Sequence, residues 1–326
     1  MKGTPPDAGD VRAAAARLRG VAVRTPLLEF AALNDRAGGR VFVKPETLQR
    51  TGSFKFRGAY NRIVQLSPEE RRGGVVAWSS GNHAQGVAAA ASMLGIKAAI
   101  VMPADAPRIK TERTRALGAE VIFYDRQRDN REEIGRRIAA ARGAVIVPPF
   151  DDPHIIAGQG TAGLEIAEDA ASLGVALDAV LVPAGGGGLV AGTALAFSEV
   201  SPRTSIYCVE PEDFDDHRRS LAAGERVGSP ESAQSFCDAL MAPMPGELTF
   251  AVNKRLLAGG LGVSDAEVAA AMRFAFEELK LVVEPGGAVA LAALLSAGFD
   301  AKEKSVAIVL SGGNVDPALF AKVIAG

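Results

Sequence analysis

The chain has 326 residues, with 36 Lys and Arg against 38 Asp and Glu, and 48% of its residues are hydrophobic. This near balance of charge argues against a nucleic-acid partner or an acidic membrane surface, and the apolar content excludes a disordered chain. Cys208 and Cys237 are far apart and form no CxxC pair, so neither a disulfide framework nor a zinc cluster is expected. The N-terminus does not resemble a signal peptide and no apolar run reaches about 18 residues. We therefore expect a cytoplasmic protein with no membrane partner.

Short β-branched runs alternate with longer alanine-rich segments, a pattern typical of βαβ units around a parallel sheet. The predicted strands are residues 41–44, 74–79, 98–102, 120–124, 144–148, 179–184, 205–210 and 305–311. The fold class is therefore α/β. No repeat or Ser/Gly linker divides the chain, so a second domain must form where the chain crosses over and returns. We predict a small inserted α/β domain of residues 74–149 and a large domain formed by residues 1–73 and 150–326.

The first unusual loop in chain order contains the sequence TGSFKFRG. Ser53 is expected to cap a helix that begins near Phe54 and carries Lys55 in its first turn. The positive end of the helix dipole disfavours an ammonium there, which indicates an amine kept partly neutral and nucleophilic. A solvated surface lysine is the alternative, but the flanking Phe54 and Phe56 favour a half-buried position.

The second loop follows the predicted strand that ends near Trp78 and opens an alanine-rich helix. Small hydroxyls, an amide and helix-start N–H groups are suited to holding a carboxylate or a ring oxygen. A helix cap made by one of the serines is compatible with this role, and an isolated histidine is more often structural. The candidate residues are Ser79, Ser80, Asn82 and His83.

The third loop carries four consecutive glycines, at residues 185–188, between a strand and a helix. Backbone N–H groups without side chains, together with a helix N-terminus, make a phosphate cradle, whereas a tight turn needs only one or two glycines. Gly186, Gly188 and Ala191 also fit the G-x-G-x-x-G/A dinucleotide pattern, with Glu210 placed as a ribose ligand. An NAD-dependent oxidoreductase is therefore the alternative from a different functional class.

The last predicted strand delivers Ser311 to the same edge of the sheet, where its hydroxyl could hydrogen-bond a heterocyclic nitrogen. A phosphate cradle, a nucleophilic lysine and such a hydroxyl are three groups that pyridoxal phosphate needs. The ordered motifs SFKFRGA, SSGNHAQG, PAGGGGL and SGGN resemble those of the fold type II pyridoxal-phosphate enzymes. Within these, the chain resembles the threonine/serine dehydratase and serine racemase group.

This resemblance implies a tryptophan synthase β-like fold of two domains, each with a mostly parallel sheet flanked by helices. Lys55 would form the Schiff base with pyridoxal 5'-phosphate and act as the base for the substrate α-proton. Phe54 would lie against the cofactor ring, Asn82 would bind its 3-hydroxyl and Ser311 would face the pyridine nitrogen. The phosphate would be bound by Gly185, Gly186, Gly187, Gly188 and Leu189.

The implied reaction is loss of water from a small 3-hydroxy amino acid, giving a 2-oxo acid and ammonia. The substrate carboxylate would be bound by Ser79, Ser80, Asn82 and His83. Typical threonine dehydratases carry Ala in place of Ser80, whereas racemases carry Ser there and use it as a second acid/base. A serine racemase or a 3-hydroxyaspartate dehydratase of the same family therefore remains open, with Lys55 and Ser80 as the catalytic candidates.

The segment VEPEDFDDHRRSL resembles the divalent-cation loop of the same family. The resemblance implies that Glu210, the Phe214 carbonyl and Asp216 bind Mg²⁺ or Ca²⁺ through hard oxygen ligands. A solvated acidic turn is the alternative. The resemblance also implies a homodimer, and the chain ends about a dozen residues after SGGN, so we expect the short, catabolic type without a regulatory domain.

Overall fold

The computed structural model describes residues 4–106 and 108–326, and its strands form two sheets. The strands are β1 (Leu28–Glu29), β2 (Arg40–Pro45), β3 (Val75–Trp78), β4 (Ala98–Pro103), β5 (Glu120–Tyr124), β6 (Val145–Ile146), β7 (Ala179–Pro183), β8 (Ser205–Pro211), β9 (Gly259–Val263) and β10 (Ser305–Leu310). One sheet has the order β1-β2-β10-β7-β8-β9 and the other β5-β4-β3-β6. Only the pair β1–β2 among these is antiparallel. The prediction of an α/β fold with mostly parallel sheets is confirmed.

Helices connect the strands and cover the faces of both sheets. They are α1 (Ala8–Leu18), α2 (Ala31–Ala37), α3 (Lys55–Val64), α4 (Pro68–Gly73), α5 (Asn82–Met93), α6 (Arg108–Ala116), α7 (Arg131–Arg142), α8 (Pro153–Ser172), α9 (Gly188–Val200), α10 (Asp216–Ala223), α11 (Glu247–Leu256), α12 (Asp265–Glu277), α13 (Pro285–Leu295) and α14 (Pro317–Ala325). Among the described helices, none is both long enough and apolar enough to cross a membrane.

The core lies on both faces of the six-stranded sheet, because its central strands are buried on both sides. Strands β7 and β10 therefore read as continuous apolar runs and not as alternating ones, and β2 does so over residues 41–43. One face packs against α12 and α13, and the opposite face packs against α8 and α9. A separate apolar cluster joins the four-stranded sheet to α3 and α5. Helix α3, which carries Lys55, packs against both α5 and α8.

All eight predicted strands are present, and two further strands were missed. Strand β1 has only two residues, too few for a periodic pattern. Strand β9 has the sequence GGLGV, and glycine weakens a strand interior, so propensity argued against it. A Cβ atom on Gly260 would lie 2.9 Å from both Cys208 Sγ and Arg218 Cβ, so this edge strand needs glycine for its close approach.

A buried network of charged side chains fixes the start of α3. The Arg57 guanidinium donates to both carboxylate oxygens of Glu46 at 2.8 Å, and to those of Glu165 at 2.7 and 2.8 Å. Lys44 donates to Glu165 and to the Thr25 carbonyl, both at 2.6 Å. The side chains of Arg57, Glu46 and Lys44 are fully buried. These bonds tie α3 to β2 and α8, two residues after Lys55.

Candidate active site

Helix α3 begins at Lys55, as expected, but Ser53 does not cap it. The N-cap residue is Phe54 without a side-chain hydrogen bond, and the buried Ser53 hydroxyl has no partner among the described residues. Ser53 instead forms an antiparallel backbone bridge with Gly312, and the Phe54 N–H donates to the Ser311 carbonyl at 3.1 Å. The expected cap is wrong because this segment pairs with the loop that follows β10. That pairing places Lys55 beside the SGGN motif.

The Lys55 side chain is half-buried and lies among groups that favour a reactive amine. Its Nζ atom donates to the Pro149 carbonyl at 2.8 Å and lies 5.1 Å from the centroid of the Phe54 ring. Burial lowers the pKa of Lys55 to about 8, and the nearby Glu284 carboxylate opposes part of this shift. About a tenth of this amine is therefore neutral at pH 7, far more than for an ordinary lysine, as a nucleophilic lysine requires.

Asn82 joins the start of α5 to two other segments. Its amide nitrogen donates to Glu284 Oε1 at 2.6 Å, and its amide oxygen accepts from Asn314 Nδ2 at 2.8 Å. Asn314 also donates to the Thr51 carbonyl at 2.6 Å. The SSGN and SGGN motifs and the loop before Lys55 therefore meet at one place.

Glu284 was not predicted from the sequence, and it lies at the centre of this arrangement through its bond to Asn82. Burial raises the pKa of Glu284 to about 7, while the Asn82 hydrogen bond acts in the opposite direction. It occupies the N-cap position of α13 without making a side-chain cap. An acidic residue directly before the buried run PGGAVALAALL was the signal that could have identified it.

The SSGNH loop leaves a helix N-terminus free for a ligand. The N-cap of α5 is Gly81, with no side-chain cap from the described residues, so the serines do not cap the helix. Ser79 Oγ instead accepts from the Gly81 N–H at 3.2 Å, and Ser80 is half-buried in the same loop. The unpaired N–H groups at this helix start are suited to a carboxylate.

His83 points away from solvent and has a structural contact. Its Nε2 atom lies 2.8 Å from the Val147 carbonyl, so Nε2 carries the proton. Burial, with a smaller contribution from the charge of Lys55, lowers the pKa of His83 to about 3, and the hydrogen bond to Val147 opposes part of this shift. The ring is therefore neutral at pH 7, which agrees with the structural role that the sequence analysis preferred for this histidine.

The glycine loop, residues 185–188, connects β7 to α9 and has no room for side chains. A Cβ atom on Gly186 would overlap the Phe150 ring, and one on Gly188 would lie 3.2 Å from Phe150 Cβ. Gly187 has φ 88°, a conformation that favours glycine, and it is the N-cap of α9 without a side-chain cap from the described chain. The helix-start N–H groups, including that of Leu189, are thus left for an anion.

The segment containing Pro149 and Phe150 links the glycine loop to Lys55. Phe150 lies against Gly186, and the Pro149 carbonyl holds the Lys55 amine. The four loops selected from the sequence therefore converge on one site, which also contains the unexpected Glu284. An anion cradle, a partly neutral amine and the buried Ser311 hydroxyl provide groups of the kinds that bind pyridoxal phosphate.

A second group of ionisable residues lies at the start of α10. Ligand atoms of Glu210, Asp216 and His217 all lie within 4.8 Å of one another, and Phe214 ends the turn between the two acids. Glu210 accepts backbone N–H bonds from His217 and Arg218, both at 2.9 Å. Burial raises the pKa of Glu210 well above its ordinary value and that of Asp216 to about 7. We call Glu210 and Asp216 the acidic cluster.

Comparison with known proteins identifies the family that the sequence motifs resemble. A family model described as "Pyridoxal-phosphate dependent enzyme" matches residues 18–312. The L-threo-3-hydroxyaspartate ammonia-lyase of a Pseudomonas species is 44% identical over 97% of this chain and 98% of that protein. The L-threonine ammonia-lyase of Thermotoga maritima is 45% identical over 97% of this chain and 77% of its own length. The structure of maize serine racemase has a TM-score of 0.92 and 36% identity, covering 98% and 97% of the two chains. The chain therefore belongs to the pyridoxal-phosphate dependent enzymes.

Proposed function

We propose that the protein is a pyridoxal-phosphate dependent threonine/serine ammonia-lyase that removes water from a small 3-hydroxy amino acid. The observation that carries the proposal is the Lys55 amine, held by the Pro149 carbonyl with a pKa lowered to about 8, on a segment that also touches the glycine loop. Membership in this family overturns the NAD-dependent oxidoreductase alternative.

The proposed cofactor contacts follow from the positions of the loops. Lys55 would anchor the cofactor covalently and Phe54 would lie against its ring, with Asn82 at the 3-hydroxyl and Ser311 at the pyridine nitrogen. The phosphate would be bound by the backbone N–H groups of Gly185, Gly186, Gly187, Gly188 and Leu189. When bound, pyridoxal phosphate supplies the electron sink for a carbanion at the substrate Cα.

Residues of the chain itself would bind the substrate and remove its α-proton. The helix-start N–H groups of α5, with Ser79, Ser80, Asn82 and His83 around them, would orient the substrate carboxylate. Lys55 Nζ would take the α-proton, and the β-hydroxyl would leave together with one proton as water. Hydrolysis of the remaining enamine gives the 2-oxo acid and ammonia.

The test is an assay of 2-oxo acid release from serine, threonine and 3-hydroxyaspartate, with chiral analysis of the remaining amino acid. The purified protein should be yellow, and borohydride should fix the cofactor on Lys55. A colourless protein that binds no pyridoxal phosphate would refute the proposal. Because the relatives are named for both threonine and 3-hydroxyaspartate, the assay also decides which substrate is preferred.

Racemisation is the second candidate activity, because Ser80 lies on the proposed carboxylate loop and a solved relative is a serine racemase. A racemase needs a proton donor on the face of the substrate opposite Lys55, whereas elimination does not. We expect Ser80→Ala to keep L-serine or L-threonine deamination within about threefold and to lower action on D-serine by ~10²-fold or more. Both rates are measured on the same preparation. Equal loss of both would assign Ser80 to positioning instead of proton transfer.

We also propose that the acidic cluster and the Phe214 carbonyl bind Mg²⁺ or Ca²⁺. The proposal is supported by the two buried carboxylates and by the Asp216 Oδ2 atom, which has no hydrogen-bond partner in the described ranges. A chelator should lower the melting temperature, and a cation at 100 times its Kd should restore about 2.7 kcal/mol. Differential scanning fluorimetry measures this, with Glu210→Ala as the variant that loses the response. If added cation does not change the melting temperature of the metal-free wild type, this segment is an acidic turn that binds no cation.

We propose a small domain of residues 74–149 inserted in a large domain of residues 1–73 and 150–326. The four-stranded sheet, which runs from Val75 to Ile146, supports this division. We further propose a homodimer in the cytoplasm, on the resemblance to the family. Size-exclusion chromatography with light scattering tests the oligomeric state.

A further inference from the structure

A buried histidine, His217, lies directly against the glycine loop, and the catalytic proposal gives it no role. A Cβ atom built on Gly187 would lie 2.6 Å from His217 Nε2 and 2.9 Å from Asn253 Nδ2. Both side chains are fully buried. The imidazole and the amide therefore fill the space beside Gly187, at the residue whose positive φ shapes the loop. These two side chains therefore limit the space available to the glycine loop at Gly187.

The same histidine also contacts the acidic cluster. It is the second residue of α10, directly after Asp216, and its backbone N–H donates to Glu210 Oε1 at 2.9 Å. Its side chain extends from the first turn of α10 to Gly187. His217 therefore contacts both the proposed cation ligands and the proposed phosphate site. The catalytic proposal contains no other link between these two sites.

The polar atoms of His217 are incompletely paired. The Asn253 amide nitrogen lies 3.5 Å from Nδ1, and Nε2 makes no hydrogen bond of good geometry among the described residues, although the ring interacts with the backbone of Gly185 and Gly186. With the amide donating to Nδ1, the ring proton lies on Nε2, which faces Gly187. A buried donor without a well-aligned acceptor is unfavourable, so a loop arrangement that improves the alignment of a loop carbonyl with Nε2 is favoured. We therefore expect the position of the glycine loop and the orientation of the His217 ring to change together.

We propose that His217 is a positioning residue that couples the acidic cluster to the glycine loop, so that cation binding and cofactor binding strengthen each other. A cation held by Glu210 and Asp216 fixes the first turn of α10 and therefore the ring that lies against Gly187. Coupling between two binding sites is reciprocal, so each ligand raises the affinity for the other by the same factor. This inference rests on the proposed cofactor and cation sites.

The test measures binding to the apoprotein and does not depend on turnover. The Kd of pyridoxal phosphate is determined by absorbance, first with chelator and then with saturating Mg²⁺ or Ca²⁺. In the wild type we expect the cation to lower this Kd by about fivefold or more, with an equal effect of pyridoxal phosphate on the cation Kd. His217→Asn keeps a polar atom near Nδ1 and removes the part of the ring that touches Gly187. It should bind each ligand singly but lose the linkage.

Matched variants keep the result interpretable. His217→Gln retains an amide near the Nε2 position and should keep part of the linkage, and Asn253→Ala should weaken it if the histidine variants do not fold. His154→Asn, in the first turn of α8, is the control and should keep the full linkage. The inference would be overturned if His217→Asn kept the full linkage, or if the wild type bound both ligands without any linkage. Neither result would affect the proposed ammonia-lyase activity. A wild type that binds no cation would also overturn it, whereas failure to bind pyridoxal phosphate would refute both proposals.

Discussion

Replacing Lys55 with Ala is expected to lower 2-oxo acid release by about 10⁴-fold or more. The reason is that one side chain supplies both the covalent anchor of the cofactor and the base for the α-proton, so both functions are lost together. The glycine loop contributes backbone N–H groups, which the substitution leaves in place, so the variant should still bind some cofactor. The measurement is turnover at saturating substrate, with bound cofactor determined on the same sample.

A matched control is Lys322→Ala, because Lys322 is an exposed lysine on α14. This variant should keep full activity and retain cofactor after borohydride treatment, whereas Lys55→Ala should retain none. If Lys55→Ala keeps more than a few per cent of the activity, a different residue must take the α-proton.

The pH dependence of cofactor capture follows from the same lysine. Burial lowers the Lys55 pKa to about 8, and only the neutral amine attacks the cofactor aldehyde. The rate at which apoprotein captures pyridoxal phosphate covalently should therefore rise with pH up to about 8 and level off above it. Stopped-flow absorbance between pH 6 and pH 10 measures the profile, and a rate that continues to rise to pH 10 would show an unperturbed amine.

The site loops could be found in the sequence because each has a local signal. Four adjacent glycines before a helix and a lysine in a first helical turn need no knowledge of distant contacts. The parallel topology then brings the ends of the strands to one edge, so motifs far apart in sequence are expected to meet. The buried strands were equally visible, because a strand covered on both faces is a continuous apolar run.

The residues that were missed depend on contacts between distant segments. Glu284 becomes a site residue through its bond to Asn82, 202 positions away in the chain. Ser53 was expected to cap α3, but its backbone pairs with Gly312 instead, a choice that only tertiary structure makes. The glycine-rich β9 has the wrong propensity for a strand but pairs with β8, and a residue larger than Gly260 would not fit at this position.

Replacing Arg57 with Met is expected to destabilise the protein by about 3–5 kcal/mol, because the carboxylates of Glu46 and Glu165 lose the guanidinium that both bind. Burial alone raises the pKa of Glu46, but the charge and hydrogen bonds of Arg57 outweigh it, so the pKa lies below its ordinary value. The stability that Glu46 contributes is therefore present above its unfolded-state pKa and is lost as the pH falls through its folded-state pKa. Urea unfolding of the apoprotein at pH 7 and at acidic pH measures both effects.

An exposed pair with similar geometry supplies the control for Arg57. Arg40 donates to both oxygens of Glu29, at 3.0 and 2.9 Å, but the side chains are 54% and 31% exposed. Arg40→Met should therefore destabilise the protein far less than Arg57→Met. Since Arg57 also fixes α3 two residues after Lys55, Arg57→Met should lower activity even where it remains folded. A cost similar to that of Arg40→Met, with full activity, would show that apolar packing alone holds Lys55 in place.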